Sequence, residues 1–318
     1  MIELYIKGVK GEFMPVICNE VVWTTQKWGA GVLNFSVIKE GSIDFKEGNH
    51  VYLRVNGKNI FYGYVFSKSR NKDGIIAVTC YDQLRYLRNK DTYTYVGKKA
   101  SQVLSMICDD YRLNKGNIVD TGFIIGPRVE DNSTLFDIIY NAINITRVNT
   151  GRSFILYDDF GKIALVDSNS MKTNLLINER SSIDFDYNTT IDKGVYNSIK
   201  LVHQKNTKYI HVFNVYTAKD EGLINDWGML RHFEHINEDV NGNEAAKGML
   251  NMYKTKNRYL SIKTAGNINI RAGSFVNVNL DIGDFLVNES MQVNTCRQIF
   301  SDNNHIMEVE VVGGVLNE

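Results

Sequence analysis

Proline is rare in this sequence, with two prolines among 318 residues. The chain has neither a proline-rich linker nor a linker rich in glycine and serine. No low-complexity tract interrupts the chain. Flexible linkers depend on such compositions, so we expect the domains to pack against each other rather than to move freely. The length exceeds what one hydrophobic core usually fills, and it predicts two or three domains.

An excess of charge of either sign is also missing, because 36 lysines and arginines balance 36 aspartates and glutamates. Nonspecific binding to nucleic acid or anionic lipid depends on a net positive field. The hydrophobic share of 43% and the charged share of 23% are those of an ordinary soluble protein. We therefore expect no nonspecific DNA binding and no specific nucleic-acid partner.

Cysteine is scarce and lacks the spacing of a metal or redox motif. Cys18, Cys80, Cys108 and Cys296 are far apart, with no C-x-x-C. This predicts buried free thiols in a reducing compartment. The opening MIELYIKGVKGEF has no basic region followed by an apolar run, and no apolar stretch approaches the ~20 residues that span a bilayer. We expect a protein made and folded in a cytoplasm, without membrane insertion.

The sequence does contain a strand-turn-strand pattern that occurs twice. The first copy leads through a turn at Gly57, and the second leads through a turn at Gly283. Five residue pairs share one offset along the chain: Lys46 with Arg271, Gly48 with Gly273, Val51 with Val276, Leu53 with Val278, and Val55 with Leu280. A third alternating segment follows each copy. Alternation of apolar and polar residues predicts half-buried strands, so the pattern indicates two related β units.

The spacing of apolar residues changes between the two β units. Five or six alternating strands before residue 95 predict an antiparallel barrel or sandwich over 1–95. Two helical stripes follow, Ala100 to Tyr111 and Leu135 to Ile143, the second capped by Asn132 or Ser133. With the hairpin FILYDDFGKIALVD they predict an α+β domain over 96–188. A second β barrel over 189–318 is expected to contain one helix at about 243–257, capped by Asn243.

Candidate sites for chemistry each have a simpler explanation. His232 and His235, with Glu234 between them, lack the i, i+4 spacing of H-E-x-x-H and a third ligand. Asp239, Asn241 and Asn243 start like a calcium loop, but Glu244 and Leu250 stand where glycine and a bidentate glutamate are required. The segment GKKAS at Gly97 reads as a helix start rather than a phosphate loop. We assign no catalytic, cofactor-binding or metal-binding residue.

Acidic pairs and strand tyrosines are the remaining candidates. Adjacent carboxylates, such as Asp109 with Asp110 and Asp158 with Asp159, diverge on a helix or lie in a turn and do not form a glycosidase pair. No nucleophile has a context such as G-x-S-x-G. The tyrosines on strands suit a platform for sugars or single-stranded nucleic acid, but cross-strand packing is the commoner role. These tyrosines are Tyr62, Tyr64, Tyr81 and Tyr86.

Six stretches in order resemble the hub proteins of contractile phage-tail baseplates and phage-like bacteriocin particles, the XkdQ/YqbQ family. The match extends from about Gly48 to Val312. The stretches are TCYDQLRYLRNKDTYTY followed by ASQVLSMICDDYRL, FILYDDFGKIALVD, SIDFDYNTTIDKGVYNSIKLV, YTAKDEGLINDWGMLRHFEHI and IRAGSFVNVNLDIGDFLVNESM. The resemblance implies a mainly β fold in which two related tail-tube-like antiparallel β-barrels flank a small α/β domain.

The same resemblance implies a structural role without an enzymatic activity or a cofactor. Three chains would form a homotrimeric ring with six barrel positions, which adapts a sixfold tail tube to a threefold central spike. The implied partners are the tail tube protein or a tube-proximal baseplate protein, the central spike protein and the tape measure protein. The implied location is the bacterial host cytoplasm during assembly and then the tail baseplate of a virion or phage-like particle.

Two alternative functions remain open from the sequence. Some larger hub proteins carry peptidoglycan-degrading domains, so a particle-associated peptidoglycan hydrolase is the first. The strand tyrosines suggest the second, a carbohydrate-binding module.

Overall fold

The computed structural model describes residues 1–8, 11–38, 44–206, 211–236, 241–283, 285–301 and 304–313. The chain is mainly β with few helices, which confirms the predicted fold class. Contacts between residues divide it into two compact units. The large unit contains 1–185 and 261–311, and the small unit contains 186–260 and 312–318. Residues 189–260 and 261–311 thus fall in different units, and the domain division 1–95, 96–188 and 189–318 stays a prediction.

The N-terminal strands of the large unit form antiparallel ladders. Their order in the sheet is β3 (Ile17–Gln26), β4 (Val32–Ile38), β7 (Ile75–Tyr81), β6 (Lys58–Arg70), β5 (His50–Val55), β1 (Ile2–Gly8) and β2 (Gly11–Phe13), and each neighbouring pair in this order is hydrogen-bonded. Alternate residues are buried along β4, β5 and β7 and in the second half of β3, as the sequence pattern predicts, whereas β2 buries none.

The repeated pattern forms an antiparallel meander in each copy. The first meander is β5-β6-β7, in which Val55 pairs with Lys58 across the Gly57 turn. The second meander is β19 (Phe275–Asp281), β20 (Leu286–Ser301) and β21 (Asn304–Val312), which are neighbours in that order. Gly57 and Gly283 have φ of 74° and 90°, a backbone region that glycine enters without a Cβ clash. The predicted strand-turn-strand order is present in both copies.

Strand β20 joins the second meander to the N-terminal strands. Its first half pairs with β19, and its second half pairs with β3, with Thr295 opposite Gln26 and Phe300 opposite Val21. Phe300 is 1% exposed and belongs to the same apolar core as Leu33 and Val51. The two ends of the chain therefore share one hydrogen-bonded ladder, a long-range pairing that the sequence patterns do not predict.

An α+β part between the meanders contains both predicted helices and the predicted hairpin. The helices are α1 (Ala100–Asp110) and α2 (Leu135–Thr150), and the hairpin strands are β11 (Phe154–Asp158) and β12 (Ile163–Asp167). The helices bury their apolar stripes in one core. Structure that the sequence analysis missed consists of the paired strands β8 (Lys90–Tyr95) and β10 (Arg128–Thr134), β9 (Lys115–Ile118), β13 (Lys172–Asn178) and 3-10 helices at Gln83–Arg88 and Ser168–Met171.

The cap of α2 is Thr134, so the prediction of Asn132 or Ser133 is wrong. Thr134 has extended backbone, and its hydroxyl accepts a hydrogen bond of 3.1 Å from the amide of Asp137. Asn132 and Ser133 lie instead in β10, where Asn132 has a positive φ of 48°. The apolar stripe locates the helix, but the cap depends on where the preceding strand ends.

Replacing Thr134 by alanine should lower the free energy of unfolding by about 1 kcal/mol, because the first turn of α2 loses an acceptor for one of its free amides. The matched control is Ser133→Ala, which leaves that cap intact and should cost less. Urea unfolding of both variants gives the comparison. A larger loss for Ser133→Ala would contradict the assignment of the cap.

The small unit packs a helix on a three-stranded sheet. The strand order is β16-β15-β17, with β15 at Ser198–Asn206, β16 at His211–Lys219 and β17 at Arg231–His235. Helix α4 (Gly242–Tyr253) buries Ala246 and Leu250 against the sheet. Two further strands are β14 (Ser182–Thr190) and β18 (Asn257–Ala265). Each of them belongs partly to the large unit and partly to the small unit.

Three details of the small unit differ from the prediction. Asn241, not Asn243, caps α4, since its side-chain oxygen accepts a hydrogen bond of 3.4 Å from the amide of Glu244. The helix ends at Tyr253 rather than near residue 257. A second helix, α3 (Glu221–Trp227), was not predicted. Its seven residues bury no side chain, so it lacks the apolar stripe that identifies a helix.

No helix of the described segments is long and apolar enough to cross a bilayer.

Candidate functional site

An aromatic row lies along one side of the first meander. Its half-buried rings contact one another in sequence from β1 to the 3-10 helix after β7. Tyr5 stacks on Tyr52 with 4.7 Å between ring centroids, and Phe160 in the β11–β12 turn lies 5.5 Å from Tyr62. The row consists of Tyr5, Tyr52, Phe160, Tyr62, Tyr64, Tyr86, Phe66 and Tyr81.

The structure brings together the four tyrosines that the sequence pattern singles out. Tyr62, Tyr64 and Tyr81 lie on strands as predicted, whereas Tyr86 lies in the 3-10 helix Gln83–Arg88, so its prediction as a strand residue is wrong. Tyr62 is held by the β11–β12 turn, where a Cβ on Gly161 would lie 2.6 Å from its ring. Its hydroxyl is 2.7 Å from His50 Nδ1. Burial raises the pKa of Tyr62 and Tyr64 above the ordinary value. Contacts of this kind fix the rings as cross-strand packing partners with their polar edges toward solvent.

A buried charge cluster lies where three parts of the large unit meet. Asp82 follows the first meander, Asp158 ends β11, and Arg271 precedes the second meander. Asp82 and Asp158 are 3% and 6% exposed. The guanidinium of Arg271 lies 4.2 Å from the ring centroid of Tyr157 and 5.8 Å from that of Trp23. A cation over the face of an aromatic ring is attracted by the ring quadrupole, so both rings stabilise this guanidinium.

Hydrogen bonds from the backbone hold both carboxylates of the cluster. Asp82 accepts from the amides of Gly31 at 2.7 Å and Leu84 at 3.0 Å, and Asp158 Oδ1 accepts from the amide of Gly161 at 2.6 Å. Arg271 Nη1 donates to the carbonyl of Asp158 at 3.0 Å. Asp158 Oδ2 and Arg271 Nε are buried without a hydrogen-bond partner in the described residues.

Burial dominates the electrostatics of this cluster. It raises the pKa of Asp82 well above its usual value, and the neighbouring Asp158 raises it further. Burial also raises the pKa of Asp158 to about 6, against the opposing effects of the Gly161 amide and the Arg271 charge. Desolvation lowers the pKa of Arg271, which stays cationic because an arginine starts from a very high value. The cluster therefore changes its charge in mildly acidic solution.

The other residues that the sequence suggested as metal or phosphate ligands lie apart from this charge cluster. His232 Nε2 is 3.0 Å from Glu234 Oε2 on β17, and His235 alternates to the opposite face of that strand. Nowhere in the described ranges do three potential metal ligands come together. Asp239 lies outside the described residues. Gly97 precedes α1, as expected for a helix start.

Structural contacts account for the acidic pair of α1, and burial accounts for the cysteines. Asp109 binds the Lys115 ammonium at 2.6 Å, and Asp110 accepts from the Tyr93 hydroxyl at 2.8 Å. All four cysteines are free thiols. Cys80, Cys108 and Cys296 are buried and Cys18 is half-buried. Burial raises the pKa of the Cys108 and Cys296 thiols to about 12, which leaves them protonated and unreactive.

Sequence patterns do not predict the charge cluster because its members are far apart in the chain. Arg271 was identified only as the partner of Lys46 in the repeat, and Asp158 only as a turn residue. No local spacing signals that a meander, a hairpin and a second meander converge. The available signal was indirect, namely an arginine at the start of a strand pattern whose other positions are apolar or glycine.

A family model described as YQBQ-like matches residues 21–312. The chain belongs to the YQBQ-like family. This match covers both meanders and the α+β part, so it agrees with the resemblance found in the sequence. The phage-like element PBSX protein XkdQ of Bacillus subtilis (strain 168) is 26% identical over 325 residues, which cover 98% of this chain and 97% of XkdQ.

Solved structures share the fold of this YQBQ-like chain at low sequence identity. The 43 kDa tail protein of prophage MuSo2 from Shewanella oneidensis superposes with a TM-score of 0.69 at 12% identity, covering 99% of this chain and 100% of the tail protein. The E. coli c3393 protein, a type VI secretion component described as similar to T4 tail proteins gp27 and gp5, gives 0.56 at 9% identity, covering 98% and 77%. The fold is therefore that of phage tail proteins.

Proposed function

We propose that this chain is a structural protein of the tail baseplate of a phage or phage-like particle. Family membership supports the proposal, since XkdQ, at 26% identity over nearly its whole length, is a protein of a phage-like element. The fold, shared with a prophage tail protein along the full chain, supports it as well. The proposal assigns a role in assembly and geometry rather than in catalysis.

The finer proposal is a hub that forms a homotrimeric ring and adapts a sixfold tail tube to a threefold central spike. The observation that carries it is the presence of two meanders with the same strand-turn-strand order in one chain. Three copies of such a chain present six similar β units around an axis. Divergence between the units lets one face of the ring match sixfold symmetry and the other threefold symmetry.

The surface of the first meander suits contacts in such a ring. The aromatic row is half-exposed, and its rings are fixed by one another and by the β11–β12 turn. Rigid aromatic side chains supply contact area at a small entropic cost, and they are enriched at protein interfaces. The partners in this proposal are the tube protein or a tube-proximal baseplate protein, the spike protein and the tape measure protein. Assembly takes place in the host cytoplasm.

Quantitative mass spectrometry of purified particles tests the proposal. With isotope-labelled peptides as standards, the chain should be present at half the copy number of any protein that forms a single sixfold ring of the tail. Deletion of the gene should give particles without a complete baseplate. The absence of the chain from the particle, or a copy number equal to that of a sixfold ring, would contradict the hub.

A further inference from the structure

A pocket of about 300 Å³ lies beside α2 in the large unit. Trp28 and Tyr140 line it with exposed rings, which meet edge to face with 4.6 Å between their centroids. Lys27 and Arg147 line it as well, and these four side chains define the basic pocket. Tryptophan, tyrosine and arginine are the residue types that most often carry the binding energy of protein interfaces. The composition of the basic pocket therefore favours contact with another protein chain.

The two cations of the basic pocket have no carboxylate to balance them. The Lys27 ammonium donates to Gln292 Oε1, and the Arg147 guanidinium donates to Asn144 Oδ1 at 2.9 Å, so both acceptors are neutral amides. Within the described segments neither cation forms an ion pair, and the lining residues include no aspartate or glutamate. Burial and the neighbouring charge of Arg147 lower the pKa of Lys27. An acidic group from outside would relieve this repulsion.

Strand β14 offers the opposite charge and is exposed on both of its faces. Ile183 and Phe185 are 60% and 39% exposed, and the alternating Asp184 and Asp186 are exposed too. Successive side chains of a strand point to opposite faces, so β14 presents apolar groups on one face and carboxylates on the other. A surface that receives the edge of this strand contacts both kinds of group.

The edge of β14 is also open to a partner. β14 ends the strand order of the 13-stranded sheet, with β18 as its neighbour. The Asp184 carboxylate accepts from the amide of Phe185 at 2.9 Å, and in the described residues neither Asp184 nor Asp186 pairs with a lysine or arginine. An open edge with exposed apolar residues is a template for contact with another chain. Unpaired carboxylates give such a contact a preference for a positive surface.

We propose that β14 of one copy of this chain docks on the basic pocket of the next copy, with Asp184 opposite the two cations and Phe185 against the two exposed rings. The inference rests on the proposed homotrimeric ring, because it names the contact that joins its copies. Strand and pocket are different surfaces, so the contact is head to tail. Head-to-tail contacts form a closed ring when the rotation between successive copies closes.

Charge reversal in purified particles tests this contact. Arg147→Glu and Asp184→Lys should each lower the number of copies of this chain per particle about tenfold, because like charges then face each other across every contact. The variant with both changes should restore the copy number, since the pair is present again with its signs exchanged. Mass spectrometry with isotope-labelled peptides measures the copy number.

The matched controls are Lys72→Glu and Asp73→Lys, which make the same charge changes in the exposed β6–β7 turn. Both controls should leave the copy number unchanged. All four substituted residues are exposed, so every variant should keep the fold. Urea unfolding of each purified chain checks this and separates loss of assembly from loss of folding.

The outcomes distinguish this contact from the ring on which it rests. Particles that lack the natural chain would contradict the proposed function, and the contact with it. Three natural copies per particle, together with normal assembly of both single variants, would refute the contact and leave the ring in place. Loss in both single variants without recovery in the combined variant would also refute the contact, because the two residues then do not meet.

Discussion

Replacing Phe300 by alanine should lower the free energy of unfolding of the large unit by about 3–5 kcal/mol. The side chain is 1% exposed and stacks on His305 with 4.3 Å between ring centroids. It lies on β20 of the second meander but is buried in the core of the N-terminal strands. The variant leaves a cavity at the point where the two ends of the chain share a ladder, so it tests that shared core directly.

Urea unfolding followed by tryptophan fluorescence measures this effect. Trp23 and Trp28 report on the large unit, and Trp227 reports on the small unit. The matched control is Phe213→Ala on β16 of the small unit, where the side chain is 54% exposed. Truncation of an exposed aromatic side chain usually changes the free energy of unfolding by less than about 0.5 kcal/mol. Equal losses in the two variants would contradict the burial of Phe300 in a core shared by both ends.

Replacing Asp158 by asparagine should remove a pH-dependent loss of stability. The pKa of Asp158 is raised from 3.8 to about 6, so the folded chain binds more protons than the unfolded chain between these values. Stability therefore falls as pH rises through this window and stays reduced above it. A difference of about 2 pH units corresponds to about 3 kcal/mol, which Asp158 shares with the coupled carboxyl of Asp82. The asparagine keeps an oxygen for the Gly161 amide but does not ionise.

The expected result is a difference in unfolding free energy, variant minus natural chain, that grows by about 3 kcal/mol between pH 4 and pH 8. Asp120→Asn is a control of opposite sign. The hydrogen bond from Lys99 lowers the pKa of Asp120, so the natural carboxylate contributes stability above its usual pKa and loses it as pH falls. If the difference for Asp158→Asn stays constant across this range, the pKa of the Asp158 carboxyl is not raised.

Local patterns predicted those parts of the fold that local interactions determine. The alternation of Val51, Leu53 and Val55 identifies a strand, and the stripe of Val103, Leu104 and Ile107 identifies a helix, because one face of each is buried. The two glycine turns of the repeat follow from the backbone geometry that a tight return requires. Family resemblance, carried by six ordered stretches, agreed with these elements and with the family match.

The same local patterns do not predict which distant strands pair with each other. The alternation in β20 is compatible with many partners, and nothing local specifies that Thr295–Phe300 pair with Val21–Gln26. The caps at Thr134 and Asn241 depend on the place where the preceding segment ends. The charge cluster arises only after three distant segments have packed, so its residues carry no local signature. Arg271 illustrates this limit, since the repeat identified the position but not its role.

Electron cryo-microscopy of the assembled particle is the most direct test of the central claim that two meanders in one chain provide the geometry of a hub. The reconstruction should show three copies of this chain in a closed ring around the tail axis, with six meanders facing the tube and threefold contacts to the spike. A ring of six copies, or a chain that lies outside the tail axis, would contradict the account.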